Sequence, residues 1–453
     1  MSLNMNIEQL QQYYQSTGDI QFKTTHRYSL IYCEGLCDNK LIEKEILSKL
    51  NHFYFKKQLF SNLLTIEPLK TNTYLEFDEL LFSGFAILYY HKHYYSLNLI
   101  NAPKRTPDQS NIDITITGPK DSFIENLETN VALIRKRLKT HALHNEYYTI
   151  GQHTKTKIAL LYMDQANQKD IELIQSRLEE IKDTDLISSG QFRNLIYNPS
   201  KNVFFPRMTY TSRPDYCVDC LLKGKFILLV DNFNNANIGP IHFTLFLELS
   251  DDLNDHFITT WINRCLYYFS GFIAVFLMPL IIGLYSYHPQ ALPFLWLANI
   301  LSIQKGMIVP TYLEIIIATL LFELFRVAGT RLPAGISTTL LVIGSVLLGQ
   351  NITSSGFIGY DILFLSAFSI ICNYSVSNNI SLSSVLTVFK ILSFICALFL
   401  GLYGFFLSVI FITLYLCKLK SFNTDLIHFT PPFSKMYLKK VFQSINCLKK
   451  ERS

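Results

Sequence analysis

Charged side chains set inside apolar runs are the residues of this chain whose type and place imply chemistry. Glu314 and Glu323 fall in MIVPTYLEIIIATLLFELF (307–325), Asp361 in FIGYDILFLSAFSIIC (357–372), and Lys390 in the run 385–417. An ionisable group surrounded by hydrocarbon is costly, so it persists where it pairs, reaches water, or handles an ion or proton. Glu314 and Glu323 are nine positions apart, two and a half helical turns, and therefore face opposite ways. Glu323 precedes Arg326 by three residues, a spacing that suits a local ion pair. That pairing and a gating role both remain open for it. Glu314 has no partner in its own segment and is the stronger permeation candidate. Arg331 lies beyond the helix end. Asp361, one turn inside its run, is expected to reach the interface, and Lys390 to snorkel from near its helix start. Acidic groups repeated around a symmetry axis would form a cation path.

Other constellations carry less. Cys217 and Cys220 form a C-x-x-C with no second pair at zinc spacing. They read as small residues on the buried face of a helix opened by Arg213-Pro214. His91-Lys92-His93 reads as a solvated turn between strands. The chain contains no G-x-G-x-x-G, no Walker loop and no G-x-S-x-G, so no metal, no cofactor and no catalytic residue is expected. Its nine cysteines are odd in number and scattered, and no disulfide framework is expected.

The elements that must hold the charged residues follow from composition. Of 453 residues, 49% are hydrophobic and 17% charged, well below the quarter usual in soluble proteins. Residues 1–264 carry 28 Lys and Arg against 30 Asp and Glu; residues 265–417 carry 4 against 3; residues 418–453 carry 8 against 2. The mild overall basicity is thus a property of the tail, which excludes a nucleic-acid binder recruited by global charge. A purely soluble enzyme and a disordered chain are excluded as well. MSLNMNIEQLQQYYQ lacks the pattern of a cleaved signal, so the N-terminal domain is expected in the cytoplasm.

Within that domain, residues 1–25 read as a polar arm. Strands are expected at 28–36, 85–90, 94–100, 157–163 and 225–230. Helices are expected at 39–50, 118–138 (capped by Asp121 or Ser122), 169–181 and 214–224. The alternation predicts an α/β soluble region of two small α/β subdomains, 26–150 and 151–260. An all-α polytopic membrane domain follows at 261–417, then a basic cytoplasmic tail at 418–453. Residues 266–285 suffice to cross a bilayer, with tyrosines near both ends. Residues 291–303 are short, carry Pro293, and suit a re-entrant segment. The run 385–417 is too long for one upright helix and should tilt, protrude, or break at Gly401 or Gly404 into a hairpin. Lysines after the last span place the tail inside, so crossings are even in number, four or six.

Three stretches carry a family resemblance: GPKDSFIENLETNVALIRKRL (118–138), IGQHTKTKIALLYM (150–163) and FELFRVAGTRLP (322–333). Together with Tyr210-Thr211-x-Arg213-Pro214-Asp215, they resemble the A-subunit family of spore germination receptors, the GerA family. The matching residues include Gly118, Pro119, Glu125, Asn126, Asn130, Arg135 and Arg137, then Thr154 and Lys155, then Glu323, Arg326 and Arg331. The pattern departs at Glu34-Gly35-Leu36 and Asp231-Asn232, where the family carries Asp-Gly. The resemblance implies a multi-pass protein of the spore inner membrane. Its implied partners are a multispan B subunit and a lipoprotein C subunit, with the A subunit as the oligomeric, ion-conducting part of a nutrient receptor. An A-like accessory subunit of the dipicolinate-release channel is the alternative. A membrane permease would require an internal repeat across the spans, and none is visible.

Overall fold

The computed structural model describes residues 7–15, 17–25, 28–37, 42, 66–69, 73–90, 93–99, 119–196, 205–246, 257–304, 307–331, 346, 349–350, 353–376 and 380–426. Apart from Ile42, the expected helix 39–50 lies outside the described residues, as do Gly118, His91, Lys92 and the tail beyond 426. Two units emerge. The soluble unit comprises residues 1–203, 207–241 and 420–424, and the helical unit is formed mainly by 242–419.

The soluble unit contains helices α1 (Ile7–Tyr13), α2 (Tyr74–Leu81), α3 (Leu127–Arg135), α4 (Gln168–Glu180), α5 (Ser189–Ile196) and α6 (Pro214–Leu222). Its first sheet holds β1 (Ile20–Thr24), β2 (Tyr28–Cys33), β3 (Ile66–Pro68), β4 (Phe85–Tyr90) and β5 (His93–Asn98), in the order β1-β2-β4-β5-β3. The second holds β6 (Leu143–Ile150), β7 (Thr156–Met163), β8 (Thr209–Thr211), β9 (Phe226–Val230) and β10 (Ala236–Gly239), in the order β6-β7-β9-β10-β8. Every pairing within both sheets is antiparallel. Strand β2 is buried throughout, and the period of two divides it between two cores. Ile31 and Cys33 pack with Phe77, Leu81 and Phe82, while Leu30 and Tyr32 pack with Ala86 and Leu88. Ile158, Leu160, Leu228 and Val230 of the second sheet pack under Ile171, Ile174 and Phe192 of α4 and α5.

The α/β expectation holds, with three local differences. Residues 7–24, read as a polar arm, form α1 and the edge strand β1, because Leu10, Tyr14 and Ile20 are buried in the first sheet's core. The boundary expected near 150 falls earlier: Leu143–Ile150 is already the first strand of the second sheet. Helix α3 begins at Leu127 rather than near Asp121. Asn126 caps it by accepting the Thr129 N–H, and the Asn130 amide bonds both the N–H and the carbonyl of Ile124, which holds the preceding loop extended. Asp121 is instead the partner of Arg137, at 2.5 Å.

In the helical unit the helices are α7 (Phe257–Ile282), α8 (Phe294–Gln304), α9 (Thr311–Arg331), α10 (Tyr360–Val376) and α11 (Ile380–Lys418). Among the described residues, two stretches are long and apolar enough to cross a membrane, Ile258–Tyr287 and Leu382–Lys418, with mean hydropathies of 2.1 and 2.5. Pro279 lies inside the first, and a π-helical stretch, Gly283–Tyr287, ends it. Helix α8 has 11 residues, about 16 Å, too short to span. Helix α11 breaks at Gly401, with φ 58° and ψ −136°. The ring of Phe389 before the break meets that of Tyr415 after it, with centroids 6.0 Å apart, so the two arms form a hairpin. A methyl group at Gly401 would sit 2.8 Å from the Tyr287 ring.

Polarity in this unit is inverted. Phe269, Phe364, Phe399, Tyr403, Phe406 and Leu414 are exposed, whereas Ser366, Ser369, Asn373, Ser383, Lys390 and Ser393 are buried. Ser369 donates to the Ala274 carbonyl, and Asn373 links Ser383 and Thr387, so polar groups join α7, α10 and α11 from within.

Candidate functional site

Glu314 stands in the first turn of α9 and is 2% exposed. Its Oε2 accepts the Gly359 N–H at 3.0 Å, immediately before α10 starts at Tyr360. Asp361 occupies the first turn of α10. A Cβ built on Gly359 would lie 2.6 Å from Asp361 Oδ1 and 3.5 Å from Glu314 Oε2, so both carboxylates converge over one glycine. The Asp361 Oδ1 is buried and has no hydrogen-bond partner. Tyr285 lies within reach of the same carboxylate. The loops before the two helices are tied by the Ile308 N–H to the Gly356 carbonyl at 3.0 Å. An anion at a helix N-terminus is stabilised by the unpaired N–H groups and the helix dipole, and Glu314 and Asp361 each stand in the first turn of a helix. The second leaves an acceptor oxygen unsatisfied, the arrangement that a proton or cation would complete.

A second polar group lies further along α9. Arg326 Nη2 contacts Glu323 Oε1 at 2.5 Å, one turn apart, and both are partly buried. Lys390 on α11 and Tyr374 on α10 are within electrostatic reach of this pair.

Several sequence expectations are met here. Glu314 and Glu323 do separate to different surroundings, and Glu323 does pair with Arg326. Asp361 is half-buried at the head of α10, with its Oδ1 buried near Glu314. Two expectations are corrected. Lys390 does not snorkel. It is 5% exposed, on the arm of α11 that Ser383 and Thr387 join to Asn373 of α10. Arg331, expected beyond the helix end, is instead the last residue of α9, and its side chain lies outside the described part. Gly359 and Tyr287 escaped the sequence reading, and Tyr285 was read only as an interface anchor. A glycine two residues before an aspartate at the head of an apolar run was the available signal for the first of these.

The motif residues of the soluble unit are fasteners. Arg135 is fully buried: Nε and Nη2 each bond Asp19 at 2.8 Å, further donors reach the Thr140 and Leu143 carbonyls, and the Phe82 ring lies 4.4 Å away. Burial works against this charge, and Asp19 restores it, leaving the guanidinium more firmly protonated than usual. Asp19 leads into β1, and Arg135 ends α3 before β6, so this pair ties the two sheets. Pro119 and Glu125 belong to the loop held by Asn130, and the Glu125 carbonyl accepts the Asn232 N–H. Thr154 and His153 donate backbone N–H groups to Asp185, holding its carboxyl down to about 2, and Lys155 between this loop and β7 has φ 44°. Arg213 bonds Asp215 through two nitrogens, and Pro214 opens α6. Cys217 and Cys220 are fully buried on that helix, as expected for packing residues.

A unit of α/β sheets and a helical unit with apolar residues outside and polar ones inside are consistent with a membrane location. The comparisons with known proteins give the chain a family. The model for the Bacillus/Clostridium GerA spore germination protein matches residues 7–453, and the chain belongs to that family. Spore germination protein XA of Bacillus anthracis is 34% identical over 93% of this chain and 87% of that protein. Spore germination protein B1 of Bacillus subtilis is 29% identical over 94% and 91%. Among solved structures, the N-terminal domain of the A subunit of the Bacillus megaterium spore germinant receptor GerK3 matches at 21% identity and a TM-score of 0.37. That match covers 52% of this chain and 94% of that one.

Proposed function

We propose that this chain is the A subunit of a spore germinant receptor complex, a multi-pass protein of the spore inner membrane that couples nutrient sensing to ion release. Family membership supports the germination role. The apolar exterior of α7, α10 and α11 supports a bilayer location with four or six crossings, the soluble unit and the basic tail facing the cytoplasm. Its partners in this reading are a multispan B subunit, a lipoprotein C subunit and further copies of itself. The observation that carries the ion-handling role is the convergence of Glu314 and Asp361 over Gly359, with an unsatisfied carboxylate oxygen inside an apolar unit. Several copies around an axis would bring this pair to a shared aqueous path. Neither carboxylate is assigned a catalytic task, and the protein is read as a non-enzyme.

The decisive variants are Glu314→Gln and Asp361→Asn, which remove charge and keep shape. Monovalent-cation release from nutrient-triggered spores should slow severalfold, with the protein still present in the membrane and its complex intact. Normal release with intact assembly removes the pair from the proposal. Release that fails only together with assembly assigns it to packing.

A further inference from the structure

The chain leaves the soluble unit after Ile241 and returns at Lys420, two residues past the end of α11. The returning residues are fixed in the soluble fold. Ser421 is fully buried; its Oγ donates to the Arg207 carbonyl at 2.7 Å and accepts the Ile241 N–H at 3.0 Å. One hydroxyl thus pins the exit of the chain to its re-entry. Phe422 adopts φ 55°, uncommon for a bulky residue, and packs its ring edge-on against Phe226 of the second core at 5.1 Å. Asn423 bonds the first turn of α4 twice: its N–H donates to Asp170 Oδ1 and its amide to the Lys169 carbonyl, both at 2.9 Å. Thr424 closes the turn with 2.9 Å to the Ser421 carbonyl.

We infer that residues 420–424 are a clasp that makes the helical unit an insertion within the soluble fold and carries displacement of the last helix into α4 and β10. This rests on the receptor reading for its biological output. Only Leu419 separates the end of α11 from the clasp, so there is little slack to absorb a movement of that helix. Both ends of the insertion belong to one folded unit, which also requires an even number of crossings, independently of tail charge.

The test uses the full chain in its membrane. Phe422→Ala, which removes the ring contact to Phe226, and Asn423→Ala, which removes the amide bond to the Lys169 carbonyl, should each speed amide exchange at Ile241 and the first turn of α4 by about fivefold to tenfold. Asn423→Ala covers the case in which the larger cavity prevents folding. Inserting Gly-Gly between Leu419 and Lys420 should leave that exchange unchanged yet reduce nutrient-triggered ion release severalfold. Unchanged exchange in both substitutions, or full release with the insertion, overturns the clasp. A strain lacking the chain separates the two readings. Release unaffected by its loss overturns the receptor role and the coupling together, whereas full release from the insertion variant alone overturns only the coupling.

Discussion

Among single residues, Arg135 shows how a buried charge is made tolerable. Its guanidinium is satisfied by a carboxylate, two carbonyls and an aromatic face, all within the soluble unit. Removing one partner of such a pair leaves an uncompensated ion, so Asp19→Ala should cost about 3–5 kcal/mol in urea unfolding of the soluble unit. A joint apolar replacement of Asp19 and Arg135 should cost less than either single change. Asp185 supplies a pH signature. Its carboxyl, lowered from 3.8 to about 2 by the Thr154 and His153 N–H groups, binds its proton less readily folded than unfolded. The fastening is therefore fully present above pH 4 and is lost as pH falls through about 2. Acid titration followed by NMR should show this transition, and Asp185→Asn should remove it.

At the level of elements, the breaks matter more than the helices. Helix α11 is apolar along its length, and only Gly401 lets it fold back. A side chain there meets the Tyr287 ring and must adopt a conformation that L-residues rarely take, at about 1–3 kcal/mol. Gly401→Ala should lower the melting temperature of the detergent-solubilised protein, and Tyr287→Leu should recover the steric part alone. The Tyr287 hydroxyl also donates to the Leu398 carbonyl, closing the last turn before the break. Asn126→Ala tests a different end. It removes the α3 cap and should destabilise the soluble unit by about 1 kcal/mol, read by chemical denaturation.

For the molecule as a whole, the inverted polarity of the helical unit is the organising fact. Large aromatic residues face outward on α10 and both arms of α11, while serine, threonine and asparagine join the helices inside. Exposed apolar area on this scale demands lipid or further protein around it. The purified chain should accordingly need detergent or nanodiscs to stay dispersed, and sedimentation in nanodiscs should report more than one copy per particle. Monomers would remove the shared axis on which the ion path depends.

Local patterning made much of this legible. Short apolar runs such as FAILYY announced β4, and the Arg213-Pro214 step announced α6, because strand propensity and proline geometry act over a few residues. The apolar run with two glycines announced a break, and Glu323 with Arg326 announced an ion pair, since both partners share one helix turn. What required the tertiary structure were the relations between distant segments. Asp19 meets Arg135 across 116 positions, Glu314 meets Gly359 across 45, and Asn423 meets Asp170 across 253. Residue types and periodicities specify which elements form and which faces seek burial. The partner that a buried charge or a returning strap finds is decided only when those faces pack, because that choice depends on the three-dimensional arrangement and leaves no local mark in the chain.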